Sequence, residues 1–299
     1  MTALPQPADQ PPDRWTVQAV LDWTTGHLTR NGSSTPRLDT EILLAQARDC
    51  RRIELYTHYD TELTAEQRQV MRDLVKRRAA AEPVAYLVGF REFFGLNFQV
   101  TPQTLIPRPD TETLVVEALD LARNLPHPPQ VLDLGTGSGC IVVALATQQP
   151  SAQLVAVDIC NGALEVARRN ATVHDVAGRI DFRVGDLFEP LESGRRFDMI
   201  VSNPPYVAHA ELDELPADVR DHEPLQALDG GDDGLDIVRR IIDAAPNHLA
   251  ADGTLLCEIS PEQAQCVCQL VADNQSYLEP RIANDLAGRP RVIIAPSAD

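Results

Sequence analysis

The sequence lacks several features that would assign it to common classes of protein. It has no apolar stretch of about 18 residues, the minimum for a membrane-spanning helix, so we expect no membrane partner. Its six cysteines include no C-x-x-C pair. Cys140 and Cys257 lie in apolar runs, so the cysteines are expected to be small buried side chains in a reducing compartment rather than metal ligands. These observations favour a cytoplasmic protein without a metal.

Basic residues are scarce relative to acidic ones. The chain has 26 Lys and Arg against 44 Asp and Glu, which gives a formal net charge of −18. Such a surface repels the phosphates of nucleic acid, so no nucleic acid partner is expected. The acidity either favours solubility alone or also attracts a basic protein partner.

The tetrapeptide Asn-Pro-Pro-Tyr at positions 203–206 follows the apolar run Phe197–Ser202, which is typical of a buried parallel strand. Ligands bind at that end of such a strand. The two prolines fix the backbone and donate no hydrogen bonds. The side-chain oxygen of Asn203 and the carbonyl of Pro204 can each accept one hydrogen of a planar NH2 group, while Pro205 fixes the turn and Tyr206 supplies an aromatic wall. This corner suits an amine or amide substrate, although a simple turn after a strand has the same sequence signature.

A glycine-rich loop lies upstream, between the apolar strand Val131–Leu134 and the apolar segment Cys140–Ala146. It consists of Gly135, Thr136, Gly137, Ser138 and Gly139. A strand, a glycine-rich turn and a helix in succession predict a nucleotide-type βαβ unit, in which the backbone approaches a ligand closely. The spacing is G-x-G-x-G and no Walker lysine follows, so a nucleoside without phosphates fits better than a dinucleotide or triphosphate.

A second strand, Gln153–Asp158, ends in an acidic residue roughly 20 residues after the glycines. In nucleotide-binding sheets, a carboxylate at this position accepts hydrogen bonds from ribose hydroxyls. We therefore predict that Asp158 binds the ribose of the cofactor.

The pattern of apolar residues predicts two kinds of architecture. Before Pro83 the spacing is helical, with helices expected over Trp15–Leu28, Leu38–Ala45 and Thr64–Ala81, the last with a capping signal. Phe90–Val100 has strand composition around Gly95 and predicts a hairpin. From about Asp110 strands and helices alternate, which predicts a mostly parallel α/β sheet.

Within the predicted sheet domain the elements are assigned individually. Helices are predicted at Thr111–Arg123, Ala163–Val173, Leu235–Leu249 and Glu262–Asp273, and strands at Gln130–Leu134, Gln153–Asp158, Ile180–Gly185, Phe197–Ser202 and Thr254–Ile259. Arg281–Ala295 has strand character at both ends, around Gly288 and Pro290.

Several further motifs occur in order along the chain. They are Pro36–Asp39, Leu105–Glu112, Glu223–Leu228, Gly230–Leu235 and Asp285–Arg291. With the glycine loop and the Asn-Pro-Pro-Tyr corner, they resemble the peptide chain release factor glutamine methyltransferases, a family of class I S-adenosylmethionine-dependent methyltransferases. The resemblance covers nearly the whole chain, from about Trp15 to Pro296.

The resemblance implies a Rossmann-like sheet with an antiparallel closing hairpin. It also implies four regions: a disordered leader at 1–13, a helical domain for release factor recognition at 14–82, a β-hairpin linker at 83–107 and the methyltransferase domain at 108–299.

By resemblance, the cofactor is S-adenosylmethionine, the product is S-adenosylhomocysteine, and no metal is needed. The loop Gly135–Gly139 then surrounds the methionine end of the cofactor, while Asp186 accepts from the adenine amino group and Leu187 packs on the ring. Asn203 also borders the cofactor.

The resemblance also implies that the protein substrate is a release factor whose Gly-Gly-Gln glutamine is methylated at the amide nitrogen. Asp133 either reaches the cofactor ammonium through water or stabilises the turn, and Arg108 and Glu223 either contact substrate or anchor a loop.

Three alternatives differ in what they act on. A ribosomal-protein glutamine methyltransferase would share the corner, but that family lacks the Pro-Asp-Thr-Glu found at positions 109–112. A nucleic acid adenine N-methyltransferase is disfavoured by the acidic charge. A binding protein that has kept only the cofactor site would leave the intact corner at 203–206 without a role.

Overall fold

The computed structural model describes residues 14–298, so the predicted leader at 1–13 lies outside the described residues. Within that part of the chain no helix is both long enough and apolar enough to cross a membrane. Internal contacts divide the chain into two compact units. One contains the chain up to Gly89 together with Pro216–His222, and the other contains Phe90–Leu215 together with Glu223 onward.

The first unit is helical, as predicted. Before the division at Gly89 its helices are α1 (Val17–Arg30), α2 (Pro36–Arg48), α3 (Arg52–Thr57), α4 (Ala65–Ala79) and α5 (Val84–Val88). The predicted cap of α4 is present, because the Thr64 hydroxyl accepts from the backbone N–H of Gln67 and the Gln67 side chain accepts from Thr64. Buried apolar residues from all five helices form the core of this unit. The short helices α3 and α5 were not predicted, because one or two turns show too few periodic positions.

A buried ion pair joins two of these helices. Asp39 of α2 accepts from Arg78 of α4 at 2.8 Å, and both side chains are at least nine-tenths buried. The hydroxyls of Ser33 and Thr35 also donate to Asp39. Three donors therefore satisfy the Asp39 carboxylate, of which Arg78 joins α2 to α4, and these contacts explain the buried charge in a small helical core.

The second unit begins with the predicted hairpin, β1 (Phe90–Phe93) and β2 (Leu96–Gln99). Phe94 and Gly95 at the turn both have positive φ, as a two-residue hairpin turn requires. The predicted linker at 83–107 spans the division between the units, because α5 belongs to the first and the hairpin to the second.

A seven-stranded sheet forms the centre of the second unit. Its strands are β3 (Gln130–Leu134), β4 (Gln153–Asp158), β5 (Ile180–Val184), β6 (Phe197–Ser202), β7 (Leu249–Glu258), β8 (Arg281–Asn284) and β9 (Pro290–Pro296). Their order is β5-β4-β3-β6-β7-β9-β8, with β3 to β7 parallel and β8 and β9 antiparallel. The predicted parallel sheet with a closing antiparallel hairpin is confirmed.

Helices follow or precede most of the strands. They are α6 (Glu112–Arg123), α7 (Cys140–Gln148), α8 (Asn161–Val173), α10 (Asp236–Ala244) and α11 (Ala264–Asp273), with α9 (Ala217–Arg220) in the segment that belongs to the first unit. One apolar core contains residues of α6, α7 and α8, and the other contains residues of α10 and α11. The sheet is therefore covered on both faces.

Strand order reverses beside β3, because β4 lies on one side of it and β6 on the other. At such a switch point the loops after the two neighbouring strands diverge and leave a crevice at the carboxyl ends. The glycine loop follows β3, Asp158 ends β4 and Asn203 follows β6. The fold thus brings all three predicted elements to one edge of the sheet.

Most predicted boundaries differ by one to three residues, and the largest differences lie between α10 and β7. The helix predicted over Leu235–Leu249 ends at Ala244, and Leu249 already belongs to β7, where it pairs with Phe197. Pro246 lies in the short 3-10 turn between them, and proline cannot continue an α-helix because it has no N–H to donate. The strand predicted to begin at Thr254 therefore begins five residues earlier.

Candidate active site

A cavity of about 570 Å³ opens at the carboxyl ends of β3, β4 and β6. Most of the predicted site residues line it: Gly135, Thr136, Gly137, Ser138, Asp158, Asp186, Leu187, Asn203, Pro204 and Pro205. Two predicted residues, Gly139 and Tyr206, do not line the cavity. The loop predicted to hold a nucleoside and the corner predicted to hold an NH2 group therefore share one enclosure.

The glycine loop after β3 depends on backbone conformations that other residues rarely adopt. Gly135, Gly137 and Gly139 all have positive φ, between 56° and 80°. A Cβ on Gly139 would meet the Cβ of Ala167 in α8 at 3.0 Å. Gly139 thus allows the loop to pack closely on α8. The neighbouring residue, Ser138, lines the cavity, and its buried hydroxyl has no hydrogen-bond partner within residues 14–298.

Asp158 connects β4 to the glycine loop. Its Oδ2 accepts from the backbone N–H of Gly137 and its Oδ1 from that of Cys160, each at 2.8 Å. Burial raises the pKa of Asp158, and these two N–H donors oppose the shift. Each oxygen keeps a free lone pair, so the carboxylate is able to accept from ribose hydroxyls while it holds the loop.

Asp133, within β3, is fully buried beneath the loop. Its Oδ2 accepts from the Thr136 hydroxyl at 2.7 Å, which is the turn-stabilising contact considered from the sequence. Its Oδ1 has no partner in the described chain, and burial raises the pKa of Asp133 to about 7. Of these two unpartnered polar groups, the Ser138 hydroxyl lines the cavity and Asp133 does not, so Ser138 is the one that fits contact with the polar end of S-adenosylmethionine.

Asn203 and the two prolines form the corner after β6. The Nδ2 of Asn203 donates to the Thr111 hydroxyl at 3.2 Å, so the Oδ1 is the end left to accept from a ligand. Gln263 donates to the carbonyl of Tyr206 at 3.0 Å, which holds the chain beyond the prolines. The corner is therefore held on both sides, and Asn203, Pro204 and Pro205 line the cavity.

The phenol of Tyr206 lies away from the cavity lining. Burial raises its pKa to about 12, with a further contribution from the charge of Glu258, while Arg291 and Arg108 lower it. The ring is thus placed near a group of charged side chains behind the corner. Its predicted contact with a planar substrate amide stays a prediction.

Asp186 and Leu187, after β5, line the cavity on the side of α10. Asp186 forms an ion pair with Arg240 at 2.7 Å, a partner that was not predicted. Arg240 and Ile237 of α10 also line the cavity. They occur three residues apart and so share one helix face, but this spacing is common to every amphipathic helix and does not reveal a binding site.

Arg108 and Glu223 form an ion pair in which the Glu223 side chain is almost fully buried. Glu223 also accepts from the backbone N–H of Ile106 at 3.0 Å. These contacts anchor the loop before α6, which is one of the two roles considered from the sequence. Arg108 lines the cavity as well.

Among residues 14–298, no three His, Cys, Asp or Glu side chains come together as a group that could hold a metal ion.

Two family models match the chain. The model described as the PrmC N-terminal domain matches residues 19–89, and the model described as the methyltransferase small domain matches residues 111–217. The first match lies in the helical unit and the second contains the glycine loop and the Asn-Pro-Pro-Tyr corner.

Curated relatives match over nearly the full length. The release factor glutamine methyltransferase of Rhodopirellula baltica is 45% identical over 282 residues, which cover 93% of this chain and 95% of the relative. That of Geobacter sulfurreducens is 47% identical over 282 residues, covering 94% and 97%.

Among solved structures, the catalytic domain of hMettl16, in complex with the MAT2A 3′UTR hairpin 6, has a TM-score of 0.56 and 18% identity. The match covers 73% of this chain and 81% of that one. At this identity the likeness concerns the fold alone.

Proposed function

The chain belongs to the family of release factor glutamine methyltransferases, and on that premise we propose that it methylates the side-chain amide of the glutamine in the Gly-Gly-Gln motif of peptide chain release factors. S-adenosyl-L-methionine is the proposed methyl donor and S-adenosyl-L-homocysteine the product. The observation that carries the proposal is the shared cavity: the acceptors of the corner at 203–205 and the cofactor elements, from Gly135 to Asp158, line one enclosure.

The donor supplies a methyl group activated by a sulfonium. In our proposal the loop Gly135–Gly139 and Ser138 hold its methionine end, and Asp158 accepts from its ribose. Asp186 and Leu187 border the adenine in this proposal, and the ion pair between Arg240 and Asp186 supports an oriented Asp186 carboxylate. No charged side chain needs to act on the methyl group itself.

The proposed role of the corner follows from the weak nucleophilicity of an amide, whose lone pair is delocalised into the carbonyl. The Oδ1 of Asn203 and the carbonyl of Pro204 accept the two amide hydrogens, which orients the nitrogen and favours its pyramidal geometry. Fixing nitrogen and methyl carbon in line, about 3 Å apart, is worth several kcal/mol. Pro205 keeps the backbone of the corner rigid.

The proposed partner is a release factor, with residues 14–82 as its recognition domain. The net charge of −18 supports a basic protein surface as the binding partner and disfavours nucleic acid. The family match over residues 19–89 is consistent with a recognition role for this region.

A substrate comparison tests the proposed function. Labelled donor is supplied with a release factor, with the same factor carrying alanine in place of the motif glutamine, with ribosomal proteins and with duplex DNA. We expect label only in the intact release factor. Label in a ribosomal protein but not in the release factor, or label in DNA, would instead support one of the alternatives.

A further inference from the structure

Glu258, the last residue of β7, is a buried acidic residue that has no role in the proposed reaction described above. Its side chain is fully buried, and neither carboxylate oxygen meets full hydrogen-bond geometry within the part of the chain that the structure describes, although the approach of the Thr111 hydroxyl lowers the pKa of this carboxyl group. Burying an unpartnered charge is costly, and native proteins rarely keep one without a reason. It does not line the cavity, so direct contact with substrate is not its role.

The sheet places Glu258 beside the corner. Ser202, the last residue of β6, pairs with Cys257 of β7, so Asn203 and Glu258 each come directly after this paired position. Thr111 joins them: its hydroxyl accepts from Asn203 Nδ2 at 3.2 Å, and it lies near enough to Glu258 to lower the pKa of that carboxyl group. Thr111 is itself 1% exposed, so water does not compete for its hydroxyl.

A threonine hydroxyl has one hydrogen to donate, whereas an ionised carboxylate only accepts. We propose that Glu258 is a positioning residue: its carboxylate takes the hydroxyl hydrogen of Thr111, so that Thr111 can only accept from Asn203 and the Oδ1 of Asn203 is held toward the cavity. The substrate amide then meets an acceptor rather than a competing NH2 group. The inference deepens the proposed function and rests on it for its kinetic test.

Protonation of Glu258 would reverse this arrangement. A carboxylic acid donates to the Thr111 oxygen, which leaves the Thr111 hydrogen free to bind Asn203 Oδ1 and turns the Nδ2 toward the cavity. Burial raises the pKa of Glu258 to about 7. Three charged side chains act on the Glu258 carboxyl group: Arg291 on β9, and Arg108 and Asp110 before α6. Three other titratable groups also face Glu258, namely the phenol of Tyr206 and the thiols of Cys140 and Cys257. The orientation of the Asn203 amide is thus coupled to pH near neutrality.

The first test separates positioning from folding. Glu258→Gln and Thr111→Val should each lower kcat on the order of 100-fold through loss of alignment, while Thr111→Ser, which keeps the hydroxyl, should restore most of the rate. The double variant should be no slower than the slower single one, because the two groups act as a unit. Cofactor Kd should stay unchanged in all of them. A wild-type kcat in Thr111→Val, or single effects that multiply in the double variant, would overturn the proposal.

The second test is the pH profile of the unmodified chain, which needs no variant to fold. The kcat of the wild type should fall as pH falls through about 7, since the group must be ionised, and Glu258→Gln should lack this limb. A flat wild-type profile across neutral pH, or an unchanged limb in Glu258→Gln, would contradict the proposed role.

A third measurement distinguishes failure of this inference from failure of the proposed function. The side-chain amide signal of Asn203 in a 15N spectrum, assigned by its loss in Asn203→Ala, should shift with pH around neutrality in wild type and stay fixed in Glu258→Gln. This readout needs no protein substrate. If the signal behaves as expected but no release factor is methylated, the proposed function is wrong and the positioning role stands. A signal independent of pH removes the positioning role.

Discussion

At Asn203, the direction of one side-chain amide decides whether the corner accepts or repels a substrate NH2 group. In the structure its Nδ2 is used by Thr111, which leaves the oxygen for the ligand. Replacement by alanine should lower kcat about 100- to 1,000-fold, as for loss of one oriented group in a transition state, with cofactor Kd nearly unchanged. Steady-state kinetics and calorimetry measure the two effects.

The control is Asn247→Ala, which replaces an exposed asparagine in the same unit and should match wild type in both kcat and cofactor Kd. An undiminished rate in Asn203→Ala would refute the acceptor role.

Asp158 is expected to act on the cofactor instead. Asn has only one side-chain oxygen, so in Asp158→Asn the backbone N–H of either Gly137 or Cys160 would face an NH2 group and lose its acceptor. The hold on the glycine loop and the hydrogen bonds to ribose should therefore both weaken. Since hydrogen bonds to a charged group are worth about 1.5–3 kcal/mol, cofactor Kd should rise about 10- to 100-fold. Because burial raises the pKa of Asp158, wild-type affinity should also fall as the pH is lowered toward that pKa. Calorimetric titration checks both effects, with exposed Asp243→Asn as the control. Equal Kd values would contradict the role.

Site residues differed in how readily the sequence predicted them. Asp158 was placed by its spacing after the glycines, and Asn203 by its position after an apolar strand, because both follow local rules of parallel sheets. Thr111 and Glu258 carry no such local signal. They meet Asn203 only because β7 pairs with β6 and because the segment before α6 lies on the same face, contacts between positions far apart in the chain.

At the scale of single elements, the glycine loop shows how one missing side chain allows two elements to pack. Gly139 has φ of +80° and lies against Ala167 of α8. Gly139→Ala should therefore lower the free energy of unfolding by about 1–3 kcal/mol through backbone strain alone, and weaken cofactor binding by displacing Ser138.

Gly178→Ala provides the matched control, because this glycine has ordinary φ and nothing lies within 4 Å of an added Cβ. Denaturant unfolding and cofactor titration of the two variants should give a clear contrast. Comparable stability and affinity in both variants would show that the close packing of the loop on α8 has no importance for the site.

Element boundaries were predictable where turn chemistry is local. The bounds of β3, β4 and β6, the Thr64 cap of α4 and the hairpin turn at Phe94–Gly95 follow from short-range patterns. The end of α10 and the early start of β7 were not predicted, because apolar residues continue across Pro246 and periodicity alone does not show where a helix gives way to a strand. The participation of Pro216–His222 in the helical unit likewise depends on long-range contacts.

For the whole molecule, charge is the property that should govern encounter with the substrate protein. With a net charge of −18, binding of a basic partner should be accelerated at low salt. We expect kcat/KM for a release factor to fall about 10-fold or more as salt is raised to physiological strength, with kcat little changed. A short neutral peptide that carries Gly-Gly-Gln serves as the control and should show a much weaker dependence. Equal salt dependence for protein and peptide would indicate that the acidic surface serves solubility alone.

The mostly parallel sheet, covered by helices on both faces, was predicted because the alternation of strands and helices is a property of the sequence pattern, whereas the antiparallel closing hairpin was predicted partly from the family resemblance. The residues that hold the corner in place were not predicted, since they depend on how distant strands align. In the same way, the corner and the glycine loop suggest the proposed chemistry by themselves, but they do not identify the substrate.

The most direct measurement is peptide mass mapping of a release factor after incubation with the chain and S-adenosylmethionine, with Asn203→Ala run in parallel. We predict one added methyl group, located on the side chain of the Gly-Gly-Gln glutamine, in the wild-type reaction and almost none with the variant. A methyl group on any other residue, or an unmodified glutamine after prolonged incubation with cofactor-bound wild-type protein, would contradict the proposed reaction.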